Sequence, residues 1–169
     1  PTSVDPNLLA WQNAGRPKEY KISAIKTSGV FFLDSAIVAS ISGLQVGDKI
    51  MHPGGDEFSK AIQNLWRQKL FSNIEIFVTK VLEDQIEIEI SVMERPKLGN
   101  FYFKGIKKTD QEELTGKLGL AKQTIVTENT RRNSEEVIRK YFSEKGYRNL
   151  KLQIVEKTDT TYLNSISLT

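Results

Sequence analysis

A chain of 169 residues with 38% hydrophobic and 27% charged residues lies in the ordinary globular range, long enough for one domain or two small ones. The absence of cysteine excludes disulfides and thiolate metal centres, and no apolar run approaches the roughly 18 residues that cross a bilayer as a helix. The formal net charge is +3.

Residues 1–19 hold three of the five prolines and neither regular hydrophobic period, and are read as a flexible leader. The start Pro1-Thr2-Ser3, without Met, points to a chain whose signal peptide has been removed. From Tyr20 to Thr27, Ile22 and Ile25 precede Gly29, the pattern of a short strand closed by a turn. Asp34-Ser35 ahead of Ile37, Val38 and Ile41 starts a short helix. The only histidine, His52, sits beside Pro53-Gly54-Gly55 and is read as a surface-loop residue, which leaves no Ser-His-Asp or multi-histidine metal site. Gly54-Gly55 lacks the spacing and the lysine of a phosphate loop.

Phe58, Ala61, Ile62, Leu65 and Trp66 recur at helical spacing and predict a second helix with one buried face, Trp66 included. Ile74, Ile76 and Val78 then alternate with Glu75, Phe77 and Thr79. After a turn at Glu83-Asp84, Ile86, Ile88, Ile90 and Val92 alternate with Glu87, Glu89 and Ser91, as in a half-buried hairpin. Glu87 and Glu89 are what the solvated face of such a sheet requires, so they do not read as an acid/base pair. Arg95-Pro96 joins this unit to the next in few residues, which implies a restricted relative orientation.

The same order follows again. Phe101 and Phe103 precede Gly105, Thr109-Asp110-Gln111-Glu112 has capping-box spacing before Leu114 and Leu118, and Val137, Ile138, Tyr141 and Phe142 form a second helical stripe. Gly146 suits a left-handed helix end, a place Leu70 takes in the first unit. Leu150, Leu152 and Ile154 are expected to pair with Tyr162, Ile166 and Leu168 across a turn at 158–161. At a constant spacing of 76, Gly29 falls on Gly105, Asp34 on Asp110, Gly43-Leu44 on Gly119-Leu120, Ile62 on Ile138, Trp66 on Phe142, Phe71 on Tyr147 and Ser91 on Ser167, without a gap. The fold class is α+β: two units of strand, helix, helix, strand, strand, in which two helices cover one face of a three-stranded sheet.

These repeated units, with "LWRQKLFSNI" and "YFSEKGYRNL" leading into the second strand, resemble POTRA domains. "VTENTRRNSEEVIRKYFSEKGY" and the junction "ERPKLGNFYFKGIKK" are similar to the first two POTRA domains of BamA-type outer-membrane assembly proteins. The resemblance divides the chain into a leader at 1–19, a first POTRA domain at 20–95 and a second at 96–169, each with a mixed sheet whose second strand is an edge and third is central. It implies a non-enzymatic periplasmic part of a Gram-negative outer-membrane protein, without cofactor or metal. The partners it implies are unfolded outer-membrane proteins, accessory lipoproteins of the assembly complex, and a C-terminal β-barrel absent from this chain.

The implied mechanism is strand addition, in which a sheet edge offers unpaired backbone groups to an extended peptide. The site residues are then Ile76, Phe77 and Val78 in one edge and Gln153, Ile154 and Val155 in the other. Phe77 and Val155 are expected to face away from the helices, toward a client or simply covering the sheet. Charge divides unevenly, since residues 20–95 carry 8 basic and 10 acidic side chains and residues 96–169 carry 14 and 9. A basic face of Arg131, Arg132, Arg139 and Lys140 is available to acidic partners, or is a solvated face balanced by neighbouring Glu. Two other readings fit less well. A division or secretion protein can carry POTRA domains of its own, and a nucleic-acid module would need exposed aromatics interleaved with the basic residues.

Overall fold

The computed structural model describes residues 5–161 and 164–169. It divides into two compact units, Pro1–Glu94 and Arg95–Thr169. The first contains α1 (Pro6–Gln12), β1 (Lys18–Ser28), α2 (Ser35–Ser42), β2 (Lys49–His52), α3 (Glu57–Arg67), β3 (Phe71–Leu82) and β4 (Gln85–Glu94). The second contains β5 (Lys97–Phe101), α4 (Lys108–Leu118), α5 (Glu128–Glu144), β6 (Glu156–Asp159) and β7 (Ser165–Leu168).

In the first unit the strands lie in the order β2-β1-β4-β3, with β4 parallel to β1 and antiparallel to β3. The hairpin reverses at Glu83, whose φ of 57° supplies the left-handed turn residue. Alternation decides what is buried: Ile86, Ile88, Ile90 and Val92 of β4 face the helices and Val38, Ala61 and Leu65, while Glu87, Glu89 and Ser91 take the opposite face. The sheet has four strands where three were expected. The added strand β2 pairs antiparallel with the start of β1, Tyr20 opposite Ile50. It escaped the sequence reading because only Ile50 of its four residues is buried, too short a run to show a period.

The leader is not featureless. Asp5 caps α1 by accepting from Asn7 N, Pro6 occupies the first helical position, and Trp11 is buried in the core against Tyr20. His52 is likewise not a loose loop residue. Its ring stacks on Trp11 at 3.8 Å and its Nε2 lies 2.9 Å from the Trp11 carbonyl, to which it donates. Trp66 departs from its expected place as well: α3 buries Ala61 and Leu65, with Phe58 and Ile62 half-buried, and leaves Trp66 38% exposed.

The second unit has the expected three strands in the order β5-β7-β6, β7 parallel to β5 and antiparallel to β6. The two units share their helix punctuation. Gly43 and Gly119 end α2 and α4 in the left-handed conformation, and Val38 and Leu114 are fully buried at equivalent places. Gly146, at φ 89°, closes the turn after α5, whereas after α3 the left-handed residue is Lys69. The capping box forms at Thr127 and Thr130 of α5, not at Thr109; α4 starts at Lys108, with no side-chain cap on Lys107.

The gapless repeat fails in the last hairpin. Ile22 pairs with Ile86 and Ile25 with Ile88, but their equivalents Leu98 and Phe101 pair with Ile166 and Leu168, so β7 is displaced along the sheet. Of the expected strand over 150–157, only Glu156 and Lys157 lie in β6, which runs on to Asp159 and so includes part of the expected turn. Tyr162, an expected pairing residue, lies outside the described residues.

Candidate functional site

β3 is the long outer strand of its sheet, paired on one side only, with β4. Its twelve residues therefore present one row of backbone groups toward solvent. Among the three residues singled out there, Ile76 and Val78 turn to the helix side and pack partly buried against the core, while Phe77 is 48% exposed on the other face, opposite Glu89. Thr79 interrupts the ladder as a bulge between Val78 and Lys80, its hydroxyl donating to the Glu87 carbonyl at 3.2 Å, and Lys80 lies 3.7 Å from Glu87. A bulge and a lysine limit uncontrolled pairing at an edge, so the part of β3 before Thr79 is the more open stretch.

In the second unit the edge is much shorter. Gln153 and Ile154 stand outside any strand, contrary to expectation, and Val155 pairs only with Thr169, through two backbone bonds of 2.9 Å. Val155 is exposed as expected, while Ile154 is half-buried against Leu98, Val126 and Leu168.

The basic residues of α5 do not form an uninterrupted cationic face. Arg131 pairs with Glu128 and Glu156, and Arg139 with Glu135 at 2.7 Å while donating to the Leu150 carbonyl. Arg132 and Lys140 are exposed on the same helix. The groups with shifted pKa are structural ties. Lys145 of the last turn region lies against Asp110 and Tyr141, joining α4 to α5; these contacts hold the Asp110 carboxyl below its usual range and raise the Lys145 ammonium. Asp159, buried beside Gly99, is held low by the Thr161 N–H and then the Ser167 hydroxyl. Among the described residues no cluster of His, Asp or Glu could hold a metal ion, and no helix is long and apolar enough to cross a membrane.

Two features were not anticipated. The turn after β1 is clamped by Glu94, whose carboxylate accepts from Phe32 N and Leu33 N and so presents Phe31 to solvent. The second is an open cavity of about 420 Å³ in the second unit, floored by Leu114, Ile138 and Phe142 and walled by the 101–106 and 150–155 segments.

Residues 96–168 match the POTRA family, described as a surface antigen variable number repeat. The chain contains a POTRA domain. The fold of the whole agrees: over 89% of its length the chain superposes on the N-terminal domain of Omp85 from the thermophilic cyanobacterium Thermosynechococcus elongatus, with a TM-score of 0.50 at 14% identity. It is also similar to POTRA1-2 of the periplasmic domain of Omp85 from Anabaena (TM-score 0.45, 11% identity, 90% of this chain and 95% of that one). A third match is BamA POTRA3-5 from Haemophilus influenzae (TM-score 0.42, 17% identity, 90% of this chain and 65% of that one). The chain spans 62% of the Thermosynechococcus structure. No curated protein sequence matches it. The POTRA unit is thus the second compact unit, and the unit before it carries the same core order of strand, two helices and a hairpin, with β2 added.

Proposed function

We propose that the two units, residues 20–95 and 96–169, are tandem periplasmic POTRA domains of an outer-membrane β-barrel assembly protein, acting as a non-catalytic scaffold that receives unfolded clients and docks accessory proteins. The observation that carries this reading is the free edge of β3, a long strand paired on one side with Phe77 exposed at its middle. An extended client adds as a further strand there, held by backbone bonds that tolerate many sequences, while Phe77 meets an apolar side chain of the client. Each exposed backbone bond nets only about 0.5–1.5 kcal/mol after exchange with water, so single contacts are weak and released easily. That suits a receiving surface, which must pass its client on.

Neighbouring strand residues send their N–H groups to opposite sides, so of Phe77 and Val78 one donates toward β4 and the other outward. Proline at the outward position removes one donor from the free edge and spares the fold. A ten-residue peptide of alternating apolar and polar residues from an outer-membrane strand is titrated into the chain and into Phe77→Pro and Val78→Pro. Amide NMR shifts should concentrate in β3 and disappear in the proline variant that stays folded. Shifts confined to the helices, or undiminished binding by that variant, would sink the edge mechanism.

A further inference from the structure

Charge is distributed unevenly along the outer strand β3. On the face turned away from the helices it presents Glu75, Phe77 and, past the bulge at Thr79, Lys80, because these three pair with Ser91, Glu89 and Glu87 of β4. Two carboxylates therefore flank the exposed Phe77 in the register, Glu75 two residues before it on the same strand and Glu89 directly across. Lys80 is engaged, its ammonium 3.7 Å from Glu87. Among the described residues neither Glu75 nor Glu89 has an ion pair or a side-chain hydrogen bond. Glu75 is exposed beside the neutral Ser91, while Glu89 is half-buried and makes no ion pair with Lys26, its neighbour on β1.

A strand laid along β3 carries this face outward. Its residue opposite Phe77 lies on the same side of the sheet as the ring, and the residues two positions away lie opposite Glu75 on one side and toward Lys80 on the other. The bulge interrupts the ladder at Thr79, so the regular stretch is the part of β3 before it, where the charge without a partner is Glu75. A lysine or arginine placed opposite Glu75 is diagonal to Phe77. Its aliphatic stem covers the ring while its charged head meets the carboxylate. A carboxylate in that place meets like charge from Glu75 and, one strand further in, from Glu89. Antiparallel pairing is the more stable per residue, and in that direction the residue opposite Glu75 comes two positions after the one opposite Phe77.

We propose that the β3 edge selects extended strands in which an apolar residue is followed two positions later by lysine or arginine, added antiparallel. This selectivity rests on the reading of β3 as the receiving edge and names the class of client that the edge favours. Glu75 is its specificity-determining residue, and Phe77 sets the register.

The probes are ten-residue peptides of alternating threonine and valine with one leucine on the threonine face. They differ only two positions after the leucine, which holds glutamine, lysine or glutamate; a fourth peptide has its lysine two positions before the leucine. Each is titrated into the full chain at low salt and followed by the amide shifts of β3. The lysine peptide should bind about two- to fivefold more tightly than the glutamine peptide, and the glutamate peptide more weakly than either. The advantage should shrink as salt is added, and the fourth peptide should bind like the neutral one. Glu75→Gln, a change at an exposed position, should erase the preference, and Glu75→Lys should reverse it in favour of the glutamate peptide. Equal binding of the lysine, glutamine and glutamate peptides, or a preference that survives Glu75→Gln, would refute the selectivity and leave the edge reading standing. A preference for the fourth peptide would overturn the antiparallel direction and with it the proposal. If the glutamine peptide, like the others, leaves β3 unshifted, the edge reading itself fails and the selectivity falls with it.

Discussion

Gly29 and Gly105 occupy equivalent positions with nearly the same φ, 76° and 79°, yet replacing each by alanine should have very different costs. A Cβ on Gly29 would lie 3.0 Å from the Val92 carbonyl carbon and closer still to its oxygen, backbone that belongs to the central strand β4. A Cβ on Gly105 would meet nothing within 4 Å. The left-handed conformation alone costs an alanine roughly 1–2 kcal/mol, which is the whole expectation for Gly105→Ala. Gly29→Ala carries that strain and must also push apart β1 and β4, adding at least about 2 kcal/mol of the kind seen on overpacking a core. Urea denaturation of the two variants, with tryptophan emission following the first unit and far-UV circular dichroism following both, separates the effects. Equal losses at the two positions would refute the close approach of Gly29 to Val92 and, with it, the difference between the two sheets.

Three further outcomes follow from the packing. Leu65→Ala, at a fully buried position, should cost about 2–5 kcal/mol, while Trp66→Ala on the exposed side of the same helix should cost less than half as much in parallel melts. Trp11→Ala should destabilise the first unit by about 3 kcal/mol, because it empties a core site between Tyr20 and His52; an unchanged melt would return the leader to a merely attached role. Asp110 has a folded pKa below its unfolded value, so its contribution is present above about pH 4 and is lost as pH falls through the lower folded value. Asp110→Asn should therefore be less stable than the parent at pH 7 and converge with it as pH falls through the lowered folded value, whereas the raised Lys145 pKa keeps that ammonium charged throughout this range.

The elements with many periodic residues were legible. The stripe of α5 and the alternation of β3 and β4 each extend over enough residues for burial to dictate sequence, and Gly146 marked the left-handed turn that ends α5. What failed was short or depended on distant partners. β2 shows one buried residue, α1 is held by a tryptophan whose partner His52 lies far along the chain, and Trp66 shares a helical period with Leu65 without sharing its face. The stretch 150–155 has the composition of a strand, with Leu150, Leu152 and Ile154, yet composition cannot supply a neighbour to pair with. For the candidate site, the edge position of β3 was expected and Phe77 falls on the open face, but Gln153 and Ile154 were misplaced because the register of β7 was taken from the repeat.

In both units the strand that comes last along the chain is the one in the middle of the sheet. A polypeptide that emerges from its N-terminus can make the helices early, but β1 and β3, or β5 and β6, have no common neighbour until the final ten or so residues of the unit arrive. Each unit therefore closes in a single late event, and a nascent chain stalled before that point leaves β3 in the first unit, or β5 and β6 in the second, without its neighbour and beside an apolar helix face. Chaperone contact should be most needed in that interval, and trimming a few residues from the end of the first unit removes its keystone and not its fringe.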